Sequence, residues 1–172
     1  MTMMENAGVK ESLTITVKDT DGTVIGTRST PKSLWEKIIE RLRRLVGRGR
    51  CCNDILVNGG IADVQALIRN RYNWISVGVD STLPATTDTQ LLSEVQTRIE
   101  ATKSATSTFY PNDTARFEGE FIASTDRNIC EAGIHLAETT SGDVMLCRET
   151  YIPIALTTGQ SAYFVWDVVV TR

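Results

Sequence analysis

The stretch Ala162-Tyr163-Phe164-Val165-Trp166-Asp167-Val168-Val169-Val170 decides how this chain folds. In an extended conformation Phe164, Trp166, Val168 and Val170 share one face, and Tyr163, Val165, Asp167 and Val169 share the other. Apolar groups on both faces predict a strand covered on both sides, by a second sheet or helices and by a neighbouring subunit. Working back from it, the chain from Leu91 reads as further strands at 94–107, 114–124, 128–137 and 143–152, with the last at 161–171. Pro111-Asn112-Asp113, Thr125-Asp126, Ser141-Gly142-Asp143 and Thr158-Gly159-Gln160 supply the turns between them. This succession predicts an antiparallel β-sandwich and not a parallel βαβ sheet.

Residues 12–28 read as an N-terminal β-hairpin: Leu13, Ile15 and Val17 alternate with polar residues, and Asp21-Gly22 makes the turn. Residues 31–46 read as an amphipathic helix, with Leu34, Trp35, Ile38, Ile39, Leu42, Leu45 and Val46 on one stripe and Lys37, Arg41, Arg44 and Arg48 largely elsewhere. A second helix is predicted from Ile61 to about Arg69, entered through Asn58-Gly59-Gly60. Trp74 to Val79 follows as a strand, and Ser81 to Asp88 as a Ser/Thr/Pro-rich loop. The expected fold is therefore mainly β: an antiparallel sandwich with an N-terminal hairpin and two short packed helices. The expected division is residues 1–50 as an attachment arm and 51–172 as the sandwich domain.

At 172 residues with 41% hydrophobic and 23% charged residues, the chain is long enough for one domain with a core of its own. Its net charge of −3 hides a division. Arg28 to Arg50 holds eight Lys/Arg against two acids, a balance of +6, and the remainder holds ten against nineteen, a balance of −9. The basic segment lacks the interleaved aromatics of a nucleic-acid surface, so no nucleic acid is expected. No apolar stretch approaches the ~20 residues of a membrane span, and Met1 to Ser12 has no signal-like apolar run, so no membrane is expected either.

Chemistry has few candidates. The single His135 has only Glu131 and Glu138 nearby in sequence, and no G-x-S-x-G elbow is present, so no catalytic residues are assigned. Glu118 and Glu120 share a strand face and read as solvated charges. Asp19-x-Asp21-Gly22 has only the opening of a calcium loop, and without C-x-x-C pairs no metal or cofactor is expected. Glu131 and Arg148 read as a cross-strand ion pair. Cys130 and Cys147 read as buried thiols, whereas Cys51 and Cys52, beside Arg48 and Arg50, are candidates for intermolecular disulfides. Trp35 and Trp74, with Arg41, Arg44 and Arg48, are the interaction candidates.

The order of pieces from Asn58 onward resembles a class of small tailed-virus virion proteins of the tail-fibre, collar and baseplate type. An Asn58-Gly59 entry and a short helix precede Trp74-Ile75-Ser76-Val77-Gly78. Then come Ser81-Thr82-Leu83-Pro84 through Asp88-Thr89 to Leu91 and Glu94, an alternating Phe117 to Phe121, Ile129-Cys130-Glu131-Ala132-Gly133-Ile134, and Leu146-Cys147-Arg148. The resemblance implies a non-enzymatic virion structural protein, assembled as a homo-oligomer, trimer or ring, with other virion proteins as partners. Its position would be tail, neck/collar or fibre attachment. The alternatives are a capsid decoration protein and a carbohydrate- or receptor-binding β-sandwich.

Overall fold

The computed structural model describes residues 8–29 and 57–171. The basic helix expected at 31–46, with Trp35, Arg41, Arg44, Arg48, Cys51 and Cys52, lies outside the described residues. Two antiparallel sheets face each other. Strands β1 (Gly8–Lys18) and β2 (Val24–Ser29) form the hairpin, and helix α1 (Asn58–Arg71) follows. Then come β3 (Trp74–Gly78), β4 (Ile99–Glu100), β5 (Thr102–Thr106), β6 (Thr114–Ile122), β7 (Arg127–His135), β8 (Met145–Leu156) and β9 (Ser161–Thr171). One sheet has the order β2-β1-β9-β6-β5 and the other β4-β3-β7-β8.

The last strand lies at the centre of the first sheet, paired with β1 on one side and β6 on the other. Phe164, Trp166 and Val168 point into the space between the sheets, beside their cross-strand partners Phe117 and Ala115, and all are buried. Ile75, Val77, Ile129, Ala132, Ile134, Ile154 and Leu156 enter the same core from the second sheet. Burial of aromatic and branched side chains at this density is the main force holding the sheets together. Gly119 is required there, because a Cβ would stand 2.9 Å from Ile99 and 3.2 Å from Ile75.

The opposite face of β9 is half covered. Tyr163, Val165 and Asp167 are partly exposed and lie in a polar ladder with Lys18, Arg116, Glu118 and Glu120. Arg116 holds Asp167 through two hydrogen bonds of 2.7 and 2.8 Å. Glu118 and Glu120 are thus surface strand charges.

The described part of the hairpin, residues 8–29, joins the first sheet. β1 pairs with β9 along its whole length, from Gly8 opposite Thr171 to Lys18 opposite Ser161, and Leu13, Ile15 and Val17 are in the core. The aliphatic alternation in β1 is the cause, because that row of side chains is buried only against the other sheet. The hairpin turn is closed by Asp19 and Asp21, whose carboxylates accept the Thr20 and Thr23 N–H groups, with Gly22 at φ 85°. These carboxylates serve the turn itself.

Helix α1 runs a turn longer than its apolar spacing suggests. It packs against β5, β6 and β9, burying Ile61 and Gln65, while Ile68 and Tyr72 border the core. Strand structure expected at 94–107 is confined to 99–100 and 102–106. Gln96 sits at φ 58°, which extended backbone cannot accommodate, and Arg98 turns inward to a buried carboxylate.

Ile15 and Ile25 lie on the two arms of the hairpin, at 2% and 53% exposure. Ile15→Ala should lower the unfolding free energy of the whole sandwich by about 2–5 kcal/mol, and Ile25→Ala by less than about 0.5 kcal/mol. Denaturant unfolding followed by Trp fluorescence reads both. An unchanged Ile15→Ala transition would mean that the hairpin is not part of the cooperative unit.

Candidate functional site

Alternation in β3 sends Ile75 and Val77 to the core, and therefore Ser76 and Gly78 to the outer face of the second sheet. The register places Ser76 opposite Gly133 and Gly78 opposite Glu131, and on the far side of β7 puts Gly133 opposite Arg148. An outer sheet face bearing Ser, Glu, His and Arg would ordinarily be solvated. Here it is closed over by residues 79–98, which leave β3 and return to β4. The ends of this loop meet: Gly78 bridges to Glu94, the Val79 N–H donates to the Ser93 carbonyl, and the Val95 N–H donates to the Val77 carbonyl. Compact loops with adjoining ends, filled by their own side chains, are the Ω type.

Glu131 is the anchor of that closure. Its side chain is fully buried. One carboxylate oxygen accepts the Ser93 N–H at 2.9 Å and the Asp80 N–H at 3.3 Å. The other accepts the Leu92 N–H at 3.3 Å and the Arg148 Nε–H at 2.9 Å. Each oxygen thus has two donors, which fills the acceptor capacity of a carboxylate. Arg148, 6% exposed, continues the chain of contacts: Nη1 donates to Asp88 at 3.0 Å and Nη2 to the Thr82 carbonyl at 3.0 Å. Asp88 in turn accepts the Ala85 N–H, and Asp80 the Thr82 N–H. The side chain of Glu131 lies across β3 only because residue 78 is glycine. A Cβ there would overlap the Glu131 carboxylate and stand 2.6 Å from the Ser93 carbonyl oxygen, inside non-bonded contact. Gly133 serves the same end, admitting the buried Leu91 at a distance that a Cβ would reduce to 3.1 Å.

A second buried line lies beside it. Ser76 Oγ is 2.7 Å from His135 Nε2, and His135 Nδ1 is 2.5 Å from Asp143. Asp143 also accepts the Ala137 N–H at 3.0 Å and pairs with Arg98 at 2.9 Å, and Arg98 holds Glu94 through two further bonds of 2.7 and 3.0 Å. Burial pushes the His135 imidazole below its ordinary value, and the Arg98 charge adds to this against the pull of Asp143. The neutral ring fits the geometry: Nδ1–H donates to the carboxylate, and Nε2 accepts the Ser76 hydroxyl proton. For Asp143, burial acts upward, but the Ala137 N–H, His135 and Arg98 outweigh it and hold the carboxyl low.

The connectivity of Ser76, His135 and Asp143 is that of a nucleophilic triad, and sequence neighbours of His135 gave no sign of it. Its setting differs. Ser76 is 1% exposed, in mid-strand, opposite the glycine that Leu91 covers. A nucleophile must reach a substrate carbonyl and face donors for the developing oxyanion. In this arrangement the hydroxyl instead fixes the imidazole, and the imidazole joins β3 and β7 to the turn after β7.

Glu131 and Arg148 are therefore together, buried rather than exposed, and joined to Asp88 and the loop backbone. Trp74 is half-buried, opposite His135 and Glu100, at the start of β3. Cys130 is a buried thiol whose pKa burial raises, and Cys147 is half-buried opposite Ile134. No three of the described His, Cys, Asp and Glu side chains are grouped to hold a metal. At another turn, the Asn112-Asp113-Thr114 stretch folds around buried Asp113, whose carboxylate accepts the Thr108, Phe109 and Tyr110 N–H groups and the Thr114 hydroxyl. Burial would raise that carboxyl, but these four donors hold it low.

No protein-family model, curated protein or solved structure matches the chain. The sequence signal that points to the site is the run of small or polar residues at period two on neighbouring strands: Ser76 and Gly78 beside Glu131, Gly133 and His135.

Removing one partner of the buried pair should be severe. Arg148→Met leaves Glu131 with a buried, uncompensated charge and should cost about 3–5 kcal/mol, whereas Glu131→Gln with Arg148→Met should cost less than the sum of the two. A double-mutant cycle by denaturant unfolding checks this, and strict additivity would refute the coupling. Acid should also loosen the fold. His135 has a lower pKa folded than unfolded, so its contribution is present above the unfolded value near ~6.5 and is lost as pH falls below it. Asp143 and Asp113, held low in the fold, contribute above the unfolded carboxyl value and are lost as pH falls through their lower folded values. A Tm that stays level from pH 8 to pH 5 would show that His135 is not held neutral.

Proposed function

We propose that this protein is a non-enzymatic structural component of a tailed-virus particle, a module that assembles with copies of itself and with other virion proteins. One observation carries the reading. The scattered pieces by which the chain resembles small tail-fibre, collar and baseplate proteins converge on a single physical unit. Gly78 at the end of one piece leaves room for Glu131 of another, and Arg148 of a third closes on Glu131 and on Asp88 of the loop piece. Leu91 covers Gly133, and Glu94 holds Arg98. Pieces with a joint structural reason are a coherent pattern, and their purpose is rigidity of a loop on a sandwich. The charged groups are consumed by that task, in keeping with a load-carrying module and not with a reaction centre.

The polar outer face of the first sheet and the acidic balance of the sandwich suit contacts with basic partner surfaces, including the basic segment 28–50 of another copy. Native mass spectrometry of the full chain should show a trimer or a closed ring, and proteomics of purified virions should find the chain among the particle proteins. Recovery of the chain only from the soluble fraction of infected cells, as a monomer, would overturn the proposal. Monomers that bind on a glycan array would favour the receptor-binding alternative. Raising the salt from 0.05 to 0.5 M should weaken the assembly if the charge division drives it.

A further inference from the structure

The turn 136–144, between β7 and β8, is closed at its root and leans on the 79–98 loop. At the root the Leu136 N–H donates to the Val144 carbonyl, and Asp143 joins His135 to the Ala137 N–H. Among the described residues, one guanidinium ties the turn to the loop. Arg98 Nη1 reaches the Ala137 carbonyl at 2.7 Å, Asp143 Oδ2 at 2.9 Å and the Thr139 carbonyl at 3.4 Å. The leg that carries Arg98 is fixed independently. The Val95 N–H donates to the Val77 carbonyl, and the Gln96 amide donates to the Ile122 carbonyl and accepts the Ser124 N–H. Residues 138–142 are exposed, so the turn is the partner that can move.

Charge explains why that guanidinium is needed. Asp143 is buried, and a buried carboxylate without a cation is unfavourable. With His135 neutral, Asp143 depends on Arg98, which Glu94 also holds. A proton on His135 changes the count. The line then divides into two complete pairs, Glu94 with Arg98 and Asp143 with His135, and the link between them is no longer required. The closed arrangement also resists that proton. His135 Nδ1 and Arg98 Nη1 share the same oxygen, Asp143 Oδ2, so two cations would meet there. At the other nitrogen, a protonated Nε2 cannot accept the Ser76 hydroxyl proton, and among the described residues that hydroxyl makes no other hydrogen bond. The remaining charges around the ring are engaged or exposed. Glu131, on the same face of β7, and Arg148 of β8 hold each other. Glu100 of β4 and Glu138 of the turn are exposed, and β3 contributes Ser76 and no charge. A charged ring therefore needs water, and the turn is the cover that can yield.

We infer that the turn 136–144 is an acid-released flap, unlatched from Arg98 when His135 takes up a proton, while Glu131 keeps the rest of the loop clamped. This goes beyond the assembly reading and does not depend on it. In the closed form burial, and then the Arg98 charge, hold the imidazole below its ordinary value. The closed turn is thus favoured above the open-form value near ~6.5, and the preference is lost as pH falls below it.

Amide hydrogen exchange of the full chain, followed by NMR and corrected for the intrinsic rate at each pH, tests this. From pH 7.5 to 5.5 the protection of Leu136 and Ala137 should fall by up to about tenfold per pH unit, while Ser93, Val95 and Trp166 keep theirs. His135→Asn, which takes up no proton in this range, should abolish the fall. Asp143→Asn, whose amide needs no cation, should leave the turn open at pH 7.5 and indifferent to further acid. Tm at pH 7.5 checks that each variant folds, and the wild-type comparison decides alone where one does not. Equal loss of protection at Leu136, Ser93 and Trp166 would mean global loosening and overturn the flap. Constant protection at Leu136, or a fall that persists in His135→Asn, would overturn it as well.

Discussion

The carboxylate of Glu131 is the contact on which the outer half of this molecule depends. A buried negative charge is unfavourable unless its acceptor sites are filled, and here two oxygens meet three backbone N–H groups and a guanidinium. All three N–H groups come from residues 79–98. The charge therefore fixes the loop: the loop supplies what the carboxylate needs, and the carboxylate supplies what buried loop amides need. Arg148 then extends the arrangement to Asp88 and Thr82, nearer the loop's exposed middle.

The molecule thus has two interiors of different character. Between the sheets, Phe117, Phe121, Phe164 and Trp166 pack in a predominantly apolar core. Outside the second sheet, a layer of Ser76, Glu131, His135, Asp143, Arg98 and Arg148 is held by directional bonds. Apolar packing tolerates small shifts in angle and position. Charge-assisted bonds do not, so the ionic layer sets where the loop lies while the apolar core supplies most of the stability. Among the described residues the outer face of the first sheet stays partly exposed, with Arg116 and Asp167 paired at its surface. Among the described residues the two outer faces thereby differ, one sealed by residues 79–98 and the other lined by partly exposed polar side chains.

Most strands were legible because their side chains alternate against a core. The aliphatic rows of β1 and β9 and the turn residues between strands locate them to within a few residues, as in β9, whose expected and observed spans coincide at 161–171. The stretch 94–98 read as strand and is not, because its backbone follows Gln96 and Arg98 into contacts with distant partners. Glu131 and Arg148 could be paired from strand register alone. Their burial could not, since it arises from a loop whose path depends on Gly78 and Leu91. The Ser76 to Asp143 line was hidden for a similar reason: its members lie on β3, β7 and a turn, and only the assembled sheet brings Ser76 beside His135.

The central place of β9 has a kinetic consequence. β1, near the start of the sequence, and β6, near its middle, do not touch each other; both wait for the last strand to come between them. Until then the hairpin has no sheet to join, and its row of Leu13, Ile15 and Val17 stays uncovered. Closing so long a loop before any reward is collected makes folding slow, and it prolongs the time during which unpaired strand edges are exposed. The chain must therefore be complete through β9 before its first sheet can form, so a chain still short of β9 exposes the hairpin's aliphatic row to whatever it meets.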